Sequence, residues 1–337
     1  MITFTVSSSI LSAQQLASFV RQKYSLSDNT SCRLLKTGIS HNYLIIDGKT
    51  KFVFRIYSLN WRSKQEIQEE IRLLHLLKEN NITVSYAIAD SQQNYIHEIP
   101  APEGIRYAVL FSFAKGVKEF NFSTERHFKV GQLMARIHQL TLNLQLKRVV
   151  YTPQVLLEDA FERLKDFLPG DTEEMIFMAS AKKYLIQEYK NADINKIRTG
   201  VMHMDIWFDN MHFDTEDRIT FFDFDFCGNG WLLHDIAYYL LQIKSTEKVE
   251  AEHLLKRESF LKGYESVTKI SDEEKRLLPA AGTSMYFFYL GIQCQRYENW
   301  SNTFLNDIYL KRFINILVKG WYDYHGLKVE GLGHKAL

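Results

Sequence analysis

Two periods of apolar residues alternate along this chain. Residues 12–24 place Leu16, Phe19, Val20 and Tyr24 on one side of a 3.6-residue repeat, which predicts an amphipathic helix. Three short apolar runs follow at 33–36, 43–46 and 52–57, with Asp47-Gly48 between the second and third as a hairpin turn. In the third run Phe52, Phe54 and Ile56 point one way and Val53, Arg55 and Tyr57 the other. Arg55 thus leaves the apolar face and by itself reads as a solvated strand charge. The helical period returns over 63–80 through Ile67, Ile71, Leu74 and Leu77, with Glu66, Glu69 and Glu70 near the start, where carboxylates suit the helix dipole. Runs at 84–89, 94–99 and 107–113 complete a five-stranded antiparallel sheet, with Pro100 and Pro102 marking a loop before the last strand.

After Ala114-Lys115-Gly116 the pattern becomes helical for most of the remainder. Residues 1–113 are therefore expected to form an N-terminal lobe and 114–337 a larger, mainly helical one, with a hinge near 111–116 and no linker. Helices are predicted at 124–140, 151–168, 171–189, 246–268 and 271–278, followed by an aromatic region over 280–324. His138 reads as a packing or capping residue, and the aromatic stripe reads as core or as a substrate wall.

Composition narrows the class. With 337 residues, 46% hydrophobic and 14% aromatic, the chain has enough apolar material for two packed lobes, and an ordered chain is expected. A formal net charge of +1 gives no support for a nucleic-acid or anionic-membrane partner. Cys32, Cys227 and Cys294 are odd in number and far apart, which fits a reducing compartment rather than a metal site or disulfide framework. No apolar run is long enough to span a bilayer, so a cytoplasmic location is expected.

The candidate chemistry is concentrated in 201–240. His203-x-Asp205-x-x-x-x-Asn210 is followed by a polar turn, an apolar run ending in Asp223-Phe224-Asp225, and His234-Asp235 opening a helix. Phosphoryl transfer needs a carboxylate to orient the attacking hydroxyl and take its proton, oxygen ligands for Mg²⁺, and cations on the phosphates. An Asp with an Asn five residues on, then a second Asp at a strand end, supplies the first two needs. The small polar segment 37–42 is a candidate ligand loop or an ordinary hairpin turn. A metallohydrolase built on His203, Asp205, His212 and His234 lacks any further ligand spacing; His212 is expected to point outward.

The stretch resembles the catalytic core of the aminoglycoside phosphotransferase/choline kinase superfamily, whose pattern is His-Gly-Asp-x-x-x-x-Asn, an Ile-Asp-like strand end and an Asp-(Ile/Leu)-Ala helix start. The resemblance covers about residues 30 to 240. It implies an α+β, bilobal protein-kinase-like fold and ATP (or GTP) with Mg²⁺. Asp205 would be the base, His203 a brace of its loop, Asn210 and Asp223 the metal ligands, and Asp235 a support beneath the loop. Asp225 would be a further contact or a turn cap. Upstream, Phe52-Val53-Phe54-Arg55 is similar to the strand that ends in a phosphate-contacting Lys, and Glu70 lies where that Lys finds its partner. Phe111 and Phe113 fall in the segment that holds the adenine, and Gly38, Ser40 and Asn42 in the loop over the phosphates.

Two departures stand out. Met204 replaces the Gly, narrowing the space beside the base, and Arg55 replaces the Lys, giving a planar fork in place of a point charge. Only ten residues separate Asp223 from His234, too few for a protein-kinase activation loop. The expected activity is transfer of the γ-phosphate to a small hydroxylated acceptor such as an amino alcohol, sugar, hydroxy amino acid or aminoglycoside. The alternatives are a Ser/Thr protein kinase of the bacterial stress-response type and a non-catalytic nucleotide-binding pseudokinase. The aromatic run near the C-terminus has Glu298 alone, beside Arg296, which tilts away from a polycationic antibiotic.

Overall fold

The structure, a computed structural model, describes residues 4–298 and 304–327; Trp300, at the end of the aromatic run, lies outside them. The chain divides into two compact units. The first holds the described residues up to Val117 together with His212–Asp223, and the second holds Lys118–Met211, Phe224–Tyr297 and the described residues from 304 onward. The fold is the expected bilobal α+β class, with an N-terminal five-stranded antiparallel sheet and a mainly helical remainder.

In the first unit, helix α1 (Ala13–Tyr24) begins where the Ser12 hydroxyl accepts from the Gln15 N–H. Strands β1 (Ser31–Lys36), β2 (Ser40–Asp47), β3 (Thr50–Tyr57), β4 (His97–Ala101) and β5 (Gly104–Ser112) form one sheet in the order β1-β2-β3-β5-β4. Gly48, at φ +59°, makes the tight β2–β3 turn. Leu16 and Val20 of α1 pack with Tyr43, Ile45, Phe54, Ile56 and Leu110 of the sheet as one core. The opposite face carries helix α2 (Lys64–Glu79), started by a capping box between Ser63 and Glu66. β3 is therefore covered on both faces, and Arg55 is buried, not solvated.

Three further expectations change. Residues 84–89 make only isolated bridges, Val84 to Phe221 and Ala87 to Phe111, and the five strands are those that overlap the other five apolar runs. Pro100 lies inside β4, an edge strand, where a missing N–H costs the ladder nothing. The loop over 37–42 is shorter than its composition implied, because Ser40, His41 and Asn42 already pair with β3. The short hairpin of β7 (Met211–Phe213) and β8 (Ile219–Phe221) follows in the chain. His212 points inward, its Nδ1 2.8 Å from the Ala114 carbonyl, because the strand packs on the end of the first unit's chain.

The second unit is built from α3 (Thr124–Thr141), α4 (Asp159–Leu164, preceded by a π-helical turn), α5 (Glu173–Lys190), α6 (Leu233–Thr246), α7 (Glu250–Glu265), α8 (Asp272–Gln295), α9 (Asp307–Arg312) and α10 (Lys319–Tyr324). Between them β6 (Thr199–Met202) pairs with β9 (Gly228–Trp231). α3 and α7 cross with backbones nearly touching: a Cβ on Gly131 would stand 2.2 Å from the Phe260 carbonyl oxygen, and one on Gly263 2.0 Å from that of Phe128. α8 is continuous through Pro279, where two helices had been expected. One lost backbone hydrogen bond is outweighed by burial of Leu277, Leu278, Met285 and Phe288 on either side. Trp321 Nε1 also donates to the Pro279 carbonyl at 2.9 Å. No helix among the described residues is long and apolar enough to cross a membrane.

Candidate active site

In the second unit, the segment after β6 is held from below by α6. Asp235 is 1% exposed, and its two carboxylate oxygens accept the backbone N–H groups of His203 and Met204, each at 2.8 Å. Burial by itself would raise the Asp235 pKa. The hydrogen bond and charge of His138, with those of His203, overcome that and hold the carboxyl below its usual range. His138 Nε2 lies 3.2 Å from Asp235, and its Nδ1 lies 2.7 Å from the Tyr264 hydroxyl. His138 is thus the packing residue expected, with both ring nitrogens engaged.

For both N–H groups to point at one carboxylate, the chain must turn in the left-handed region, and Met204 sits at φ +64°. This is why a Gly suits the position. The Met204 side chain is fully buried. Two turns along α6 from Asp235, Gln242 repeats the device. Its Oε1 accepts from Phe208 N at 2.9 Å and its Nε2 donates to the Ile206 carbonyl at 2.9 Å.

On that support, Asp205 is gripped from several directions. Its N–H donates to His203 Nδ1 at 3.1 Å. Asn210 Nδ2 donates to both the Asp205 carbonyl and Oδ2, each at 2.9 Å. Tyr289, from α8, donates its hydroxyl to Oδ1 at 2.6 Å, and the Tyr238 hydroxyl stands 3.5 Å from the same oxygen. Asp225 is buried, and Arg148 and Tyr151 fix its turn by donating to the carbonyls of Asp225, Phe226 and Cys227.

The first unit gathers the other set. Arg55 is 7% exposed; Nη1 donates to Glu70 Oε1 at 3.1 Å, Nη2 to Asp223 Oδ1 at 2.8 Å, and Nε to Asn42 Oδ1 at 3.4 Å. Tyr57 donates to the second Glu70 oxygen at 3.1 Å, and the guanidinium lies 5.1 Å from the Phe111 ring centre. A planar fork is what allows one cation to serve two carboxylates and an amide at once. Asp223 also adopts a left-handed φ of +66°. Gly38 lies in the β1–β2 turn, and Val53 pairs with Phe111. Lys51 Nζ stands 5.6 Å from the centre of the Phe113 ring. Ser40 Oγ and His41 Nδ1 are buried without a hydrogen-bond partner among the described residues.

Sequence reasoning missed Gln242, Tyr238 and Tyr289. The first two had a readable signal, since Asp235, Tyr238 and Gln242 recur at helical spacing as the polar face of an otherwise apolar segment. Tyr289 had none, because its partner is 84 residues away and its neighbours are core. Among the described residues no group of three or more His, Cys, Asp or Glu could hold a metal ion as a cluster.

Comparison with known proteins adds to this geometry. Residues 31–268 match the model of the phosphotransferase enzyme family. An uncharacterised protein of Synechocystis sp. is 30% identical over 315 residues, covering 90% of this chain and 84% of that protein. A homoserine kinase of Bradyrhizobium diazoefficiens is 25% identical, covering 82% of this chain and 83% of the relative. The solved structure of an amicoumacin kinase superposes with a TM-score of 0.75 over 91% of this chain and 93% of its own, at 20% identity, a likeness of fold.

Proposed function

The chain belongs to the phosphotransferase enzyme family, within the aminoglycoside phosphotransferase/choline kinase superfamily, and we propose that it moves the γ-phosphate of ATP or GTP to the hydroxyl of a small amino alcohol or hydroxy amino acid. Phosphotransfer to small hydroxylated acceptors is the general activity of this superfamily. The observation that carries the finer reading is the grip on Asp205: a carboxylate with Asn210 on one oxygen, on a loop whose backbone is tied to Asp235. A base held in this way can orient an acceptor hydroxyl without paying reorganisation at each turnover.

In the proposed reaction the acceptor oxygen attacks the γ-phosphorus as the bond to the bridging β–γ oxygen breaks. The hydroxyl proton passes to Asp205, and the nucleoside diphosphate leaves. His203 braces the loop through the Asp205 N–H. Asn210 spends its amide nitrogen on Asp205, and its carbonyl oxygen and the Asp223 carboxylate are assigned to the metal. An amide oxygen and a carboxylate are, each by its own chemistry, the hard oxygen ligands that Mg²⁺ takes. Mg²⁺ would supply charge neutralisation on the β- and γ-phosphates. Arg55, with Glu70, is assigned to the nucleotide phosphates, and the unpartnered Ser40 Oγ supports a phosphate contact beside Gly38 and Asn42. Phe111, Phe113 and Val53 are assigned to the base.

Acceptor size follows from the segment after Asp223. Phe224, Asp225 and Phe226 form a buried turn, and Gly228–Trp231 is a strand paired with β6, which leaves no segment there to dock a protein substrate. That favours a small acceptor over a protein. The homoserine kinase relative makes hydroxy amino acids the first compounds to try. The test is nucleoside-diphosphate formation with a panel of amino alcohols, hydroxy amino acids, sugars and aminoglycosides. One acceptor should give turnover, lost at least a thousandfold in Asp205→Asn, roughly the effect of losing a general base. Turnover that survives Asp205→Asn undiminished refutes the mechanism.

A further inference from the structure

The aromatic run of α8 had two readings, core or wall, and one of its members does neither. Tyr289 is only partly buried, and its hydroxyl lies 2.6 Å from Asp205 Oδ1 and 2.8 Å from the Met204 carbonyl. One proton cannot serve both acceptors. The carboxylate is the stronger acceptor, and 2.6 Å is the length of a charge-assisted O–H···O⁻ bond. Burial first, and then the charge of Asp205, push the Tyr289 pKa well above its ordinary value, so the hydroxyl keeps its proton as a donor at neutral pH. The Tyr289 ring is itself fixed, stacked on Tyr238 with centroids 5.1 Å apart and planes 19° apart.

Asn210 holds Oδ2 at 2.9 Å from the loop itself, and Tyr289 holds Oδ1 from α8. With both oxygens engaged, the carboxylate can neither rotate about its terminal bond nor change rotamer without breaking a hydrogen bond to a charged group. We propose that Tyr289 is a positioning residue that pins the Asp205 carboxylate, together with Asn210, in the orientation needed to receive the acceptor proton. The inference rests on the reading of Asp205 as the base. It adds a functional contact from the C-terminal helix α8, beyond residues 31–268 matched by the family model.

A pinning role predicts a specific kinetic signature. Tyr289→Phe keeps the ring, its stack on Tyr238 and the helix, and removes only the hydroxyl. With the acceptor identified as above, kcat should fall roughly 10- to 100-fold, the size of one hydrogen bond to a charged group. KM for both substrates should stay within about twofold, because substrate binding is not what the hydroxyl serves. The unfolding midpoint in urea is followed alongside, to separate lost positioning from lost fold. Tyr238→Phe, whose hydroxyl stands 3.5 Å from Asp205, should lose distinctly less. A Tyr289→Phe kcat within twofold of wild type overturns the proposal, and so do equal losses in the two variants, which would assign the effect to the stacked pair. A wild-type chain that forms no diphosphate with any acceptor removes the underlying reading, and this inference falls with it. An active wild type, an inactive Asp205→Asn and an unimpaired Tyr289→Phe remove the inference alone.

Discussion

Met204 poses a question of sign that magnitudes can decide. At φ +64° a residue with a Cβ is strained by about 1–2 kcal/mol relative to glycine, so Met204→Gly relieves strain. The same substitution deletes a fully buried side chain, and losing a buried Met costs about 2–5 kcal/mol. Glycine also gives the unfolded chain extra freedom, worth about 0.5–1 kcal/mol against folding. The balance comes out destabilising, by about 0.5–5 kcal/mol. Met204→Ala separates the contributions, since it deletes the same packing but keeps the strain. At an ordinary helix or strand position Ala is more stable than Gly by about 0.5–1 kcal/mol; here the order should invert, with Gly equal to or above Ala by up to about 1 kcal/mol. Urea unfolding of the three proteins, followed by far-ultraviolet circular dichroism and by tryptophan fluorescence, gives both differences, and coincidence of the two probes checks that a single transition is being measured. A Met204→Gly protein more stable than wild type refutes the claim that the buried side chain outweighs the turn. An Ala variant clearly above the Gly variant refutes the left-handed geometry itself.

Arg55→Ala should weaken nucleotide binding at least tenfold by equilibrium titration with a fluorescent nucleotide. It should also cost about 3–5 kcal/mol of stability, because Glu70 is left charged and fully buried; unchanged affinity would return Arg55 to a purely structural role. Asp235→Asn should lower stability at neutral pH by about 2–4 kcal/mol, since a carboxamide offers one acceptor oxygen where two N–H groups need one each. The Asp235 pKa is depressed in the folded state, so its contribution is fully present above the unfolded value near 3.8 and is lost as pH falls below it. The gap between wild type and Asp235→Asn should therefore be constant from pH 7 to about pH 5 and narrow toward pH 3. A gap that stays constant over the whole range contradicts this linkage.

The local features of the fold were written into short-range patterns. The α1 and α2 helices, the Asp47-Gly48 hairpin and three strands of the sheet follow from period and turn chemistry, because those depend on residues a few positions apart. The grouping of His203, Asp205, Asn210 and Asp235 was also legible, since the whole set lies within 33 residues of chain, from His203 to Asp235. Their spacing reflects a strand, a loop and a helix start.

Only the tertiary structure could decide what depends on distant chain. Whether Arg55 was solvated or buried turned on α2 covering the far face of β3, and on Asp223, 168 residues away, supplying a second carboxylate. Whether Pro279 ended a helix turned on the core that both halves of α8 enter. Residues 84–89 have strand composition but not strand pairing, because backbone hydrogen bonds are satisfied by whichever partner packing brings alongside. The hydroxyl on Asp205 is the clearest case. A tyrosine in an apolar aromatic helix is indistinguishable in sequence from its core neighbours, and only the path of α8 through the second unit brings that one hydroxyl to Asp205. Sequence carries what neighbours along the chain impose on one another; burial, charge pairing and the grip on Asp205 belong to neighbours in space.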